Sequence, residues 1–285
     1  PANSAVRVYT EGQMDLFVSN ALVANATGAC VTAAVDTEAL LPWLRRARSE
    51  HALANAAQSA LQEFSGEMRA DDCAPLIFWA WSRQFVRAVF VDELGGPAVY
   101  ERVLGARSFR DALEGVLERN DAWWCNDKTT ADTTETCEQV SGTAFTPALD
   151  ALRQRVGADV PAWRWGDAHI ARGEHRPFSR IKALAPLFEL RVPTGGDTYT
   201  LNVGRVAVKP DATTGELYLN EHAPSLRAIY DLGDLSQSRV MQSTGQSGLP
   251  WLRRYRSFVG PWARVEYVPL WSSPPNTALV LTPAP

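Results

Sequence analysis

The spacing of apolar residues changes character near residue 160, and that change limits the fold more than any other feature of the chain. Before it, apolar residues recur at helical intervals. DTEALLPWLRRARS (36–49) carries Leu40, Leu41 and Leu44 on one face, with Pro42 inside, where a helix starts or bends. ALANAAQSALQEF (52–64) repeats the period through Leu53, Ala57, Leu61 and Phe64. APLIFWAWSRQFVRAVFVDE (74–93) is apolar all round, which predicts a central buried helix. Its Pro75 sits where proline is tolerated, and LGG at 94–96 ends it. Ser108 reads as the N-cap of FRDALEGVLERN, with Asp111 three residues on. Thr146-Pro147-Ala148 opens a further helix to about Arg155.

After residue 160 the pattern is that of strands. LFELRVP (187–193), TYTLNVGRVAV (198–208), GELYLNEH (215–222) and LRAIYDL (226–232) are rich in Tyr, Val, Leu and Thr. PTGGD (193–197) and KPDATTG (209–215) supply turns between them. Val265–Val268 predicts one more strand, and Ala278–Leu281 a short edge strand in a Pro-rich tail. Neither an internal repeat nor a flexible linker separates the halves. The expectation is an α+β fold, helix-rich over 1–160 and β-rich over 161–285, packed as a single interlocked unit over 1–285.

Composition excludes several function classes. A formal charge of −4 and a pI near 5.7 argue against a nucleic-acid partner. No run reaches the roughly 18 apolar residues of a membrane span, and no signal peptide is visible in the opening PANSAVRV. Ten tryptophans read first as packing groups. A carbohydrate-binding surface is the competing reading. Trp43, Trp79, Trp81, Trp163 and Trp165 lie in helical or irregular segments and not along one sheet face, which favours packing.

Cys125 and Cys137 bracket NDKTTADTTET, a polar segment unable to build a core. A disulfide closing this loop, worth roughly 3 kcal/mol, accounts for its order. Zinc is the alternative, but no C-x₂₋₄-C pair exists. Cys30 and Cys73 are either buried thiols or a second bridge. An even cysteine count with one loop-type pair points to an oxidising compartment, periplasmic or secreted.

Candidate chemistry is scattered. Ser247, in Gly245-Gln246-Ser247-Gly248, stands where a nucleophile elbow would hold its serine, but Leu249 replaces the glycine that G-x-S-x-G requires and Pro250 follows. A turn needing positive φ at Gly245 or Gly248 is the simpler reading. His51 lies between helices, and His222 ends a strand beside Glu221. His169 and His175, with Asp167 and Glu174, suggest a metal site on paper, but H-x₅-H fits no familiar zinc spacing. Pro1 is a terminal amine with no desolvating pocket apparent around it. Arg227 and Asp231 fall on one face of a predicted strand, either as a structural pair, exposed, or at the edge of a site.

The ordered set WRWGDAHIARGEHRPFS, PTGGDTYTLN, APSLRAIYDLGDLSQS and QSTGQSGLPWLRRYRSFVGPWARVEYVPL resembles the C-terminal part of the β-subunit in the penicillin acylase (penicillin amidase) family. The loop WWCNDKTTADTTETC is similar to a disulfide loop of some periplasmic members. The resemblance is strong over roughly 120–272 and weaker over 34–119.

That resemblance implies membership of the N-terminal nucleophile hydrolases, with an αββα sandwich and an amide hydrolase acting on N-acyl compounds. β-Lactam side-chain amides, acyl-homoserine lactones and acyl peptides are the implied substrates. In the family a serine freed by self-cleavage is the nucleophile and its own α-amine the base. No segment here matches that serine's motif, so the implied nucleophile lies outside this chain, on another polypeptide of the same precursor. A structural calcium is implied on that partner segment, with no cofactor in this chain. Ser247 corresponds to a loop serine, Arg254 stands where a histidine is usual, and Asp231 is the residue implied to support the site from behind. The expectation is a fragment of a heteromeric enzyme, inactive alone. The alternative is a scaffold or binding relative that has lost its nucleophile.

Overall fold

The computed structural model describes residues 37–104, 108–200 and 202–270 and mixes helices with short strands. Its centre is α3 (Ala74–Phe90), the third helix after α1 (Thr37–Arg46) and α2 (Ala54–Gln62). Thirteen of the 17 residues of α3 are buried, as its all-round apolarity predicts. Pro42 lies within α1, and Leu40, Leu41 and Leu44 are buried around it. Arg45 on α1 closes the end of α2, donating Nε to the Leu61 carbonyl (3.1 Å) and Nη2 to that of Phe64 (2.7 Å).

Three shorter helices follow: α4 (Pro97–Val103), α5 (Ser108–Glu118) and α6 (Ala122–Cys125). The helix expected from Thr146 begins at Cys137 instead and runs to Val156, as α7. A capping box sets its start: Gln139 N–H donates to Thr136 Oγ1 (3.3 Å), and Thr136 N–H to Gln139 Oε1 (2.8 Å). Pro147 therefore sits inside this helix and not at its opening. Gly157, at φ 87°, ends it. α7 packs along α3, where Trp81 Nε1 donates to the Ser141 carbonyl (3.0 Å). A Cys125–Cys137 disulfide ties α6 to the first residue of α7.

The second half follows with α8 (Trp165–Ala168), β1 (Ile170–Gly173), α9 (Ala185–Phe188), β2 (Leu190–Pro193), β3 (Leu226–Ile229), β4 (Arg239–Gln242), α10 (Val259–Ala263) and β5 (Val268–Pro269). β1 and β2 form one antiparallel pair; β3, β4 and β5 form an antiparallel sheet in that order. The strands expected over 198–208 and 215–222 do pair, through bonds such as Ala207 N–H to Leu219 O and Glu221 N–H to Arg205 O (both 2.8 Å). The ladder is broken to single bridges, because Tyr218 takes a left-handed φ of 70° and deforms it. The expected strand Leu226–Leu232 ends at Ile229, and Ala278–Leu281 lies outside the described residues.

The hydrophobic core is built by the helices together with Val206, Leu217 and Tyr218 from the second half. Polar bonds cross as well: Arg83 Nε to Val208 O (2.9 Å), Gly196 N–H to Met68 O (2.7 Å) and Trp165 N–H to Asp72 O (2.9 Å).

Candidate functional site

The two motifs WRWGDAH and PTGGDTYTLN meet around His169 against α3. Four rings stack in a row, Tyr199 on Trp79, Trp79 on Trp165, and Trp165 on His169 (centroids 4.6 Å apart for the last pair). Each indole N–H is used, Trp165 to the Gly196 carbonyl (2.9 Å) and Trp79 to the Asp197 carboxylate (3.1 Å). The other Asp197 oxygen accepts the Tyr199 and Thr200 N–H groups (2.9 and 3.0 Å), so the GGDTYT turn carries its own carboxylate into the interior. Gly196 is at φ 81°, and a Cβ there would lie 2.3 Å from the Asn202 carbonyl oxygen, so this position requires glycine.

His169 is fully buried, and burial pushes its pKa down to about 4. The neutral ring donates Nδ1–H to the Tyr218 carbonyl (2.8 Å). Its Nε2 is aimed at Gly204, where any Cβ would come within 2.7 Å. The His169 carbonyl accepts both the N–H and the hydroxyl of Thr194, and Thr194 Oγ1 accepts Asn220 Nδ2–H (3.1 Å). His169 is thus a neutral, buried ring stacked on Trp165, its Nε2 without a hydrogen-bond partner among the described residues.

Beside this interior lies a groove of about 760 Å³. Glu67, Arg69 and Asp71 from the helical half face Arg239, Arg264 and Glu266 across it. Arg264 and Glu266 form a two-bond pair (2.6 and 3.1 Å), which holds Glu266 below and Arg264 above their ordinary pKa values. Beneath, Arg227 lies over the Trp262 ring and bonds the Trp262 carbonyl (2.6 Å) and Asn202 Oδ1. The groove is therefore lined by charged groups of both signs. Among the described residues, no Ser, Thr or Cys side chain is hydrogen-bonded to a histidine ring.

The sequence-derived candidates are dispersed. Arg227 and Asp231 do not pair: Arg227 turns inward, while Asp231 is exposed beyond the strand end, its Oδ1 accepting the Gly233 and Asp234 N–H groups (2.9 and 3.1 Å). Ser247 Oγ accepts the Leu249 N–H (3.1 Å), a turn-forming role. Its loop folds back through Gly245 N–H to Tyr255 O (2.9 Å) and Ser247 N–H to Arg254 O (3.2 Å). Gly245 is not among the positive-φ glycines; it is needed because a Cβ would lie 1.6 Å from the Arg254 carbonyl oxygen. The expected φ reason for Gly245 and Gly248 is thus replaced by close approach at Gly245.

His175 lies between Phe178 and Phe188 and His169 against Trp165, so the two form no metal pair; among the described residues no group of three His, Cys, Asp or Glu is arranged to hold a metal. His51 bonds Asp150 (3.2 Å). Cys73 is a half-buried free thiol that burial pushes up in pKa, while Cys30 and Pro1 lie outside the described residues. Trp81, Trp163 and Trp165 are buried and offer no sugar platform. What sequence reasoning missed is the Trp79–Asp197 bond and the Asn202–Arg227 contact. The Asp-x-x-Thr turn signal in GGDTYT was the available clue to the first.

A family model described as penicillin amidase matches residues 25–278. The acyl-homoserine lactone acylase QuiP of Pseudomonas aeruginosa is 28% identical over 270 residues, covering 86% of this chain and 30% of that protein. Its namesake from Pseudomonas fluorescens is 28% identical over 246 residues, 82% of this chain and 28% of that protein. A penicillin acylase 2 proenzyme from a Pseudomonas species is 26% identical over 216 residues, 75% of this chain and 26% of that protein. The chain thus spans under a third of the length of these curated relatives. Among solved structures, a thermostable penicillin G acylase from Alcaligenes faecalis aligns over 90% of this chain and 48% of its own, at 13% identity and a TM-score of 0.45.

Proposed function

This chain belongs to the penicillin amidase family, and from that premise we propose that it is one part of an amide hydrolase acting on N-acyl compounds. The observation that carries the reading is the family match across residues 25–278 in a chain spanning 28–30% of its acyl-homoserine lactone acylase relatives. Acyl-homoserine lactones are accordingly the first substrates to test, before β-lactam side-chain amides and acyl peptides.

In this reading an N-terminal serine on another polypeptide of the same precursor attacks the amide carbonyl. Its α-amine takes the hydroxyl proton and passes it to the leaving amine; water then hydrolyses the acyl ester. Residues 1–285 act as one interlocked unit within an αββα sandwich, a reading supported by the Trp79–Asp197 and Arg83–Val208 bonds between its halves. The chain supplies scaffold and groove. Asp231 is its positioning residue, exposed where a partner can reach it. A structural calcium on the partner segment is part of this reading through the family resemblance alone, and no step runs through it. The Cys125–Cys137 disulfide supports a periplasmic or secreted location. No helix among the described residues is long and apolar enough to cross a membrane.

The test is denaturing intact-mass analysis and N-terminal sequencing of the native preparation, with release of homoserine lactone from an N-acyl-homoserine lactone assayed alongside. A second chain beginning with serine, with activity that follows it, is expected. A preparation holding only the 31.3 kDa chain and no hydrolysis overturns the enzyme reading in favour of a binding relative.

A further inference from the structure

Two segments distant in sequence meet on the surface of the second half and make one patch that is both basic and apolar. LPWLRRYR (249–256) turns twice, through Leu252 N–H to Leu249 O (3.1 Å) and Tyr255 N–H to Leu252 O (2.9 Å). Pro250 is buried at its base, while Leu249, Trp251 and Leu252 are exposed, and Trp251 is 68% exposed. The turn is tied down from behind by Gly245 N–H to Tyr255 O and Ser247 N–H to Arg254 O, so it presents these apolar groups from an ordered backbone. FSRIKALAPLF (178–188) abuts it: Tyr255 Oη donates to the Phe188 carbonyl (2.6 Å) and Arg256 Nη2 to that of Leu187 (3.2 Å). Phe178 and Phe188 pack on each other and on His175, which anchors this second segment and leaves Ile181 and Leu187 exposed.

The charge of the patch runs against that of the chain. The two segments carry Arg180, Lys182, Arg253, Arg254 and Arg256, all exposed, and no Asp or Glu, whereas the whole chain has 28 basic and 32 acidic residues. Among the described residues none of these five cations is in an ion pair. The acids that border the second segment are paired elsewhere, Glu174 with Arg172 (2.8 Å) and Glu189 with Arg191 (3.2 Å). Cations without counter-charges, set beside an exposed indole and aliphatic side chains, complement a bilayer with anionic headgroups. There the cations meet phosphates, and Trp and Leu enter the boundary between headgroups and acyl chains. We propose that 249–256 and 178–188 dock this chain peripherally on an anionic phospholipid bilayer, with Trp251 and Leu252 inserted at the interface and the five cations over headgroup phosphates. Nothing in this docking depends on the hydrolytic reaction, and its test reads lipid binding alone.

The experiment uses the protein expressed from its whole gene and measures co-sedimentation with vesicles. Vesicles of phosphatidylglycerol and phosphatidylcholine in equal parts are compared with vesicles of phosphatidylcholine alone. Binding to the anionic vesicles is expected to be at least about tenfold tighter, and to weaken when salt rises from about 0.05 to about 0.5 M. Trp251→Ala, and Arg253→Gln combined with Arg254→Gln, each weaken it about tenfold or more, while Trp123→Ala, an exposed tryptophan of the helical half, leaves it unchanged. An unchanged thermal midpoint shows that the variants remain folded. An independent reading comes from brominated acyl chains in the phosphatidylglycerol, which quench part of the wild-type fluorescence and none of that part in Trp251→Phe. Equal binding to both vesicle types, no binding at low salt, or wild-type binding by both the Trp251→Ala and the double arginine variant overturns the proposal. So does self-association that these variants abolish without any lipid binding, which would make the patch a contact between copies of the protein.

Discussion

The helical half and the β3–β4–β5 sheet differ in how completely they bury what they carry. Around α3 and α7, Phe78, Trp81, Phe85 and Phe145 are wholly enclosed, and Val103, Trp123 and Val156 are the large apolar residues left exposed among the described ones. Over residues 226–270 nine large apolar residues are exposed, Leu232 and Trp251 most of all. The first region satisfies itself through close packing. The second has short strands, and among the described residues its β3 pairs with β4 alone. Stability and surface association are therefore expected to be separable by mutation.

The largest effect should come from Trp81→Ala, which empties a site between α3 and α7 and leaves the Ser141 carbonyl without its indole donor. We expect a cost of about 3–5 kcal/mol by denaturant titration. Trp251→Ala, at an exposed position, should cost under about 0.5 kcal/mol. Equal costs at the two sites would erase the distinction between the regions.

Acid should strike where the halves meet. His169 has a native pKa near 4, below its ordinary 6.5, so below pH 6.5 the unfolded chain binds a proton that the native state refuses. Stability is then lost as pH falls from about 6.5 to about 4, by roughly 3 kcal/mol at most. His169→Gln should flatten this part of the stability curve, and a variant with the wild-type slope would show that the ring is not so deeply held.

Opening the Cys125–Cys137 bridge by paired serine substitution should cost about 3 kcal/mol in the helical half. Gly245→Ala, whose Cβ would fall on the Arg254 carbonyl, should cost about 1–3 kcal/mol and loosen the 245–255 loop, read as faster amide exchange there. Asp231→Asn is the smallest: the amide oxygen still accepts from Gly233 and Asp234, so chain stability should move by under about 0.5 kcal/mol. A shifted pH profile of acyl-amide hydrolysis in the assembled enzyme would mark Asp231 as a positioning residue, and an unchanged profile would leave it a turn former.

Helices were the more legible part of the sequence. The apolar run at 74–93 announced a buried helix, because a long segment with a strong local period carries its own signal. The start of α7 was missed because Thr136-x-x-Gln139 lies behind a polar loop, and Pro147 drew attention to the wrong position. Composition overstates regular strand over 198–222, where buried Thr200, Asn202 and Asn220 take hydrogen bonds that a regular ladder would not supply.

Family membership, the loop disulfide and the helical first half were within reach of the sequence alone. The first rests on ordered motifs; the others follow from short-range pairing and helical periodicity, which act between near neighbours. Tertiary structure alone decided that Arg227 turns to Asn202 and Trp262 and away from Asp231, that His169 is sealed in an aromatic stack, and that Gly245 is required by a carbonyl nine residues on. Those outcomes depend on which distant segments come into contact and on how much water they exclude, and neither is written in the local spacing of residues.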